Sequence, residues 1–214
     1  DEIASALANK KVTTEEKSSI LSKIFAYLGG VLIFTGIGVY IASFWDEMGC
    51  HGRVVTTLGS GIVVLVIGLL TGNSERSRAI TTPMLLLANL IQPVGMLVMM
   101  KEYGNGGDER HAILLVSAIM VAQNLLVFVS RKLSVLLFFA IGFSGAFFGT
   151  AFDLLEVDDE FTVTVIGASL MLVTYSLRKM GFAAIVPFWQ LVGCFMFLTG
   201  IFDIFEGTAF EPLY

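Results

Sequence analysis

Charge is scarce in this sequence: 14% of its 214 residues are Asp, Glu, Lys or Arg, against roughly 25% in an ordinary soluble domain. The shortage is also uneven. Several apolar runs carry no Asp, Glu, Lys, Arg or His near their middles, where such a residue would mark a proton relay, a voltage sensor or an ion path. Pumps, voltage sensors and carboxylate-based cation carriers are therefore disfavoured, while neutral-solute transport stays open. There are two cysteines, Cys50 in a loop and Cys194 in an apolar run, which make neither a disulfide framework nor a metal spacing. The two histidines, His51 and His111, could join Cys50 in a metal or haem site only as isolated residues at helix ends, too few for an ordinary ligand set. No metal and no cofactor is expected. Phosphate-binding glycine motifs are missing, as are a nucleophile elbow, HExxH and any Ser/His/Asp set that topology would assemble. Clustered basic charge of the kind that nucleic acid requires is absent too, so the sequence reads as that of a non-enzyme.

What the chain does have is apolar length. Hydrophobic residues make up 56% and the mean hydropathy is +0.83, more apolar surface than a soluble chain of this size can hide and what lipid as solvent requires. The stretch from Ile24 to Gly72 sets the plan, with two runs of about 20 residues, each long enough to cross a roughly 30 Å hydrocarbon layer, joined by WDEMGCHGR. Trp45 stands at the water boundary with Asp46 and Glu47 beyond it. Five further runs follow, giving spans near 24–44, 54–72, 80–100, 111–130, 133–152, 162–177 and 182–202. The sixth is short and has room for another turn at either end. The expected fold is an all-α, polytopic bundle of about seven transmembrane helices, behind a polar leader at 1–23.

The leader reads as two short helices separated by a capping-box pattern, Thr13 with Glu16, lying near lipid headgroups. It does not resemble a cleavable signal peptide, and the lack of an initiator Met suggests that further residues precede Asp1. Orientation comes from the basic residues, which stay on the cytoplasmic side of short loops. Lys10, Lys11, Lys17, Lys23, Arg76, Arg78, Arg131, Lys132, Arg178 and Lys179 share one side, leaving Arg53, Lys101 and Arg110 on the other. Ten against three places the amino terminus in the cytoplasm. Most acidic residues go the opposite way.

Three groups of residues are candidates for a role. Asn89, Gln92, Gln123, Asn124 and Gln190 lie at mid-depth by position, with Pro93 and Pro187 nearby, each removing a backbone donor. They could line a small-solute seam or hydrogen-bond between helices, and the second is the commoner use of such side chains. Asp153, Glu156, Asp158, Asp159, Glu160, Asp203 and Glu206 form an outer acidic rim, a solvated surface first and a cation or basic-partner site second. Gly68 with Gly72, and Gly145 with Gly149, are four apart and would flatten helix faces for close packing within the chain or against another subunit. A faint internal repeat, SRKL (130–133) with FDLLE (152–156) and LRKM (177–180) with FDIFE (202–206), suggests one lone span followed by three hairpins.

The stretches LGGVLIFTGIGVYIASFWDEMGCHGRVVTTLGSG, ANLIQPVGMLV, FFGTAFDLLEVDDE, IVPFWQLVG and GIFDIFEGTAFEPLY resemble, over nearly the whole chain, a bacterial family of polytopic predicted membrane proteins of unknown function. The resemblance implies a bacterial inner membrane and no known activity, ligand or catalytic residue. Members of that family tend to continue beyond the part similar to EGTAFEPLY. The expected role is that of an accessory or scaffold subunit, contacting lipid and a protein partner or further copies of itself. A small-solute transporter or channel built on the polar seam is the alternative.

Overall fold

The computed structural model describes residues 28, 32, 35–36, 38–71, 75–104 and 106–209. The chain divides into two units, Asp1–Gly49 and Cys50–Tyr214. In the first, residues 28, 32, 35, 36 and 38–43 are helical and the chain turns over 44–48. The leader at 1–23, most of the span at 24–44, Gly72 and the side chains of Arg76, Arg78 and Glu206 lie outside the described residues.

The second unit consists of six helices: α1 (Cys50–Leu70), α2 (Glu75–Tyr103), α3 (Glu109–Arg131), α4 (Ser134–Leu154), α5 (Asp159–Lys179) and α6 (Val186–Ala209). The described residues include no strand. Each helix contains a stretch long and apolar enough to cross a membrane, and with the largely undescribed first run this is the expected all-helical polytopic plan. The sixth span does extend, by three residues to Asp159 and by two to Lys179, where Asp159 and Glu160 suit the amino-terminal helix dipole and Arg178 and Lys179 the carboxy-terminal one.

Local chemistry sets the helix ends. Asp108 caps α3 by accepting the backbone N–H of Arg110 at 3.0 Å. Lys132 ends the same helix in a left-handed conformation, φ 50 and ψ 37, and donates its N–H back to Phe128. Gly181, at φ 87, closes α5 where a side chain would be strained. Inside α1 the winding loosens to a π turn over Val55–Gly59. There the backbone of Leu58 presses on Gly95 of α2, where an added Cβ would sit 2.5 Å from it.

The helices pack as consecutive antiparallel pairs, α1 with α2, α3 with α4 and α5 with α6, with much lighter contact between pairs. These are the three hairpins that the repeat suggested. Close approach within a pair depends on glycine. A Cβ on Gly61 of α1 would meet Gln92 at 2.8 Å, and one on Gly167 of α5 would meet the Phe197 nitrogen of α6 at 2.5 Å. Gly193 and Gly200 line the same α5–α6 seam. Around it Ile166, Leu170, Leu177, Ile185 and Val186 form a core, with Trp189 and Phe138 packed against it.

Ion pairs at one end and a cationic clasp at the other fix the direction of the pairs. Arg53 of α1 meets Glu102 of α2 at 2.8 Å, and Arg110 of α3 meets Asp153 of α4 at 3.3 Å. At the far end the Arg131 guanidinium donates to the carbonyls of Leu69 and, at 3.2 Å, Thr71, so α1 and α3 finish side by side. Phe182 contacts Phe128 with ring centroids 5.4 Å apart, which brings the α5–α6 turn to that end as well. Arg131, Lys132, Arg178 and Lys179 therefore share a cationic end, and Asp153, Asp158, Asp159 and Glu160 an acidic one. Much of the outer surface is large apolar side chains, Leu70 at 79% and Val129 at 74% exposed among them, as lipid-facing helices require.

Candidate functional site

Asn89 and Gln92 are three residues apart on α2 and therefore share a face. Gln123 and Asn124 of α3 meet them. The Gln123 amide Nε2 donates to Gln92 Oε1 at 2.6 Å, and Asn124 Nδ2 donates to Asn89 Oδ1 at 2.6 Å. Each asparagine also anchors to its own helix: Asn89 Nδ2 donates to the Leu85 carbonyl and Asn124 Nδ2 to the Met120 carbonyl, both at 2.8 Å. Asn89, Gln92 and Asn124 are each 1% exposed. Pro93 lies inside α2, one turn beyond Asn89, and deprives the Asn89 carbonyl of its usual helical donor. One acceptor in the cluster, Asn124 Oδ1, is buried without a hydrogen-bond partner.

Two of the residues grouped with this seam by position stand elsewhere. Gln190 is exposed, one turn into α6. The helix starts at Val186, so Gln190 is near a helix end rather than at mid-depth. Pro187 is in the first turn, where a missing N–H breaks no bond. The seam is thus four amides joining α2 to α3, bonded to one another. Neutral amides neither titrate nor serve as nucleophiles, and the arrangement acts as a hydrogen-bonded clamp between two hairpins, at about 1 kcal/mol per contact.

The acidic rim stays dispersed. Asp153 is paired with Arg110, with both side chains about half exposed at 47% and 53%. Glu156, Asp158, Asp159, Glu160 and Asp203 are all exposed. The described residues contain no group of three His, Cys, Asp or Glu side chains placed to hold a metal ion. Cys50 and His51 are not in the loop that the sequence suggested but in the first turn of α1, and His51 is hydrogen-bonded through Nδ1 to the Tyr103 hydroxyl. His111 lies apart, 4.0 Å from Asp108.

Of the glycines singled out by spacing, Gly68 is buried, and a Cβ there would meet Leu85 at 3.2 Å. Gly145 faces open space, and Gly149 would touch only Ile166, at 3.7 Å. The closest approaches between helices are instead at Gly61, Gly95, Gly167, Gly193 and Gly200. A sequence signal for two of the seams did exist: Gly61 with Gly68, and Gly193 with Gly200, are seven apart, the repeat that returns to the same helix face.

A bundle with an apolar exterior and an uncharged, hydrogen-bonded interior is a multi-pass α-helical membrane protein. The chain belongs to the family described as Predicted membrane protein (DUF2157), whose family model matches residues 1–133. The match takes in the leader, the first four spans and the four clamp amides, and stops where α4 begins. No curated protein and no solved structure matches the chain.

Proposed function

We propose that the protein is a non-enzymatic accessory or scaffold subunit of a larger assembly in the bacterial inner membrane, with its cationic end in the cytoplasm. One observation carries this reading: α6 has two distinct faces. Gly193 and Gly200 press toward α5, while Phe188, Leu191, Phe195, Leu198, Phe202 and Phe205 on the other side are each more than half exposed. Those six alternate three and four residues apart, the spacing of a helix–helix seam. That spacing puts all six on one helix face, and a broad face with four phenylalanines fits a transmembrane helix of a partner subunit. The excess of Lys and Arg at the cationic end supports the orientation.

A neutral-solute path through Asn89, Gln92, Gln123 and Asn124 has less support, because the four side chains bond to one another and Gln190 stands apart. The test is a photo-crosslinking residue at Leu198 in native membranes, combined with purification in mild detergent. A discrete adduct to another membrane protein is the expected result. A strictly monomeric particle with no adduct would overturn the reading.

A further inference from the structure

Helices α4 and α5 touch only lightly along their lengths and leave between them an apolar cleft of about 340 Å³, to whose lining α3 adds Leu125. The cleft exists because its walls are thin: Ser144 and Gly145 on α4 face Ser169 on α5. An added Cβ at Gly145 would meet nothing within 4 Å.

The dimensions select the occupant. Along α4 the lining runs from Leu137 to Phe152, fifteen residues or about 22 Å at ~1.5 Å per residue. The 340 Å³ is the space open to the centre of a water molecule; spread over that length it is ~4 Å across, and with the ~1.4 Å radius of water added on each side the walls stand about 7 Å apart. Carbon atoms in contact lie ~3.5–4 Å apart, so this width admits a hydrocarbon chain. A helix, ~10 Å across with its side chains, is far too thick.

Charge selects the end at which the headgroup sits. At one mouth Phe152 adjoins Asp153, with Asp158, Asp159 and Glu160 on the same end of the bundle. A phosphate there would face these four carboxylates, with Arg110 already paired to Asp153. At the other mouth Leu137 is five residues from Lys132, which ends α3, and Val173 is five and six residues from Arg178 and Lys179, the Lys179 ammonium lying 4.4 Å from the centroid of the Tyr175 ring. Phe128–Phe182 contact draws the two cationic turns together. Basic residues between transmembrane helices at the headgroup level are the usual partners of anionic lipid.

We infer that the α4–α5 cleft holds one acyl chain of an anionic phospholipid, with the headgroup phosphate between the cationic turns of Lys132 and of Arg178–Lys179. The inference stands whether or not α6 has a protein partner. Native mass spectrometry of the delipidated full chain tests it, with phosphatidylglycerol and phosphatidylcholine added at equal concentration. Retention of one phosphatidylglycerol per chain, at least tenfold over phosphatidylcholine, is expected. Gly145→Phe, whose ring enters open space, should lower retention at least tenfold with its helical circular dichroism intact, and Ser169→Leu should do the same from the other wall. The Lys132→Gln/Lys179→Gln pair should remove the preference between headgroups. No bound lipid, equal retention of the two lipids by the unaltered chain, or full retention in both cleft-filling variants would overturn the proposal.

Discussion

Asn124 donates to Asn89 across 2.6 Å, from α3 to α2, and so fastens the second helical hairpin to the first at a depth where neither side chain has water to turn to. Asn124→Leu leaves Asn89 Oδ1 without its donor and should cost about 1–2 kcal/mol. Asn89→Leu should cost a similar amount. Together the two changes should cost less than the sum of the singles by about 0.5–1 kcal/mol, since membrane hydrogen bonds couple at that level. Thermal unfolding of the three variants in one detergent measures the cycle, and strictly additive losses would dissolve the clamp.

Gly167 and Gly145 offer a paired test of where helices meet. At Gly167 a methyl group would fall 2.5 Å from the Phe197 nitrogen and 2.9 Å from the Gly193 carbonyl. Backbone cannot step aside cheaply, so Gly167→Ala should destabilise by about 1–3 kcal/mol. Gly145→Ala meets no neighbour and gains helix propensity of up to ~1 kcal/mol, so its Tm should hold or rise. The opposite ranking would mean that α5 and α6 are not in backbone contact.

Arg131 is the last residue of α3, yet its guanidinium serves the carboxy-terminal carbonyls of α1. A cation there meets both the unsatisfied carbonyls and the negative end of the helix dipole. Arg131→Ala should lower stability by about 1–2 kcal/mol, and Arg131→Lys should recover part of it, because charge survives while the forked geometry does not. Equal loss in both variants would point to the fork, and no loss in either would discard the contact.

Impermeant thiol labelling checks the sidedness. In a background with Cys50 and Cys194 changed to serine, cysteine at Lys132 and at Lys179 should label from one face of the membrane, and cysteine at Glu109 and at Asp158 from the other. Labelling of Lys132→Cys and Lys179→Cys from opposite faces is incompatible with the hairpin arrangement.

Much of this architecture was readable in the residues. Apolar runs near 20 residues, separated by charged turns, gave the helices and their order, and the RK turns followed by FD motifs marked two of the three hairpins. Helix ends were less legible. Cys50, His51 and Arg53 looked like loop residues by polarity, yet Arg53 reaches Glu102 and Cys50 to Val54 begins α1. Gln190 differs in depth for a related reason: its apolar run begins at Phe182, whereas the helix starts at Val186. Which face of a span is buried was the hardest part, because a helix apolar all round carries no periodic contrast. The glycines four apart were therefore no better guide than those seven apart, and the open setting of Gly145 depends on how far α4 stands from α5, which no single helix encodes.

The Leu58–Gly95 contact and the Asn89–Asn124 bond also imply an order of assembly. A growing chain that has emerged through Tyr103 can already close α1 on α2 and bring Asn89 and Gln92 to a common stripe. When α3 enters the lipid afterwards, Gln123 and Asn124 find their acceptors waiting, and Arg131 follows last to latch the end of α1. Biogenesis in this sequence spares the later amides any period of solitude in hydrocarbon.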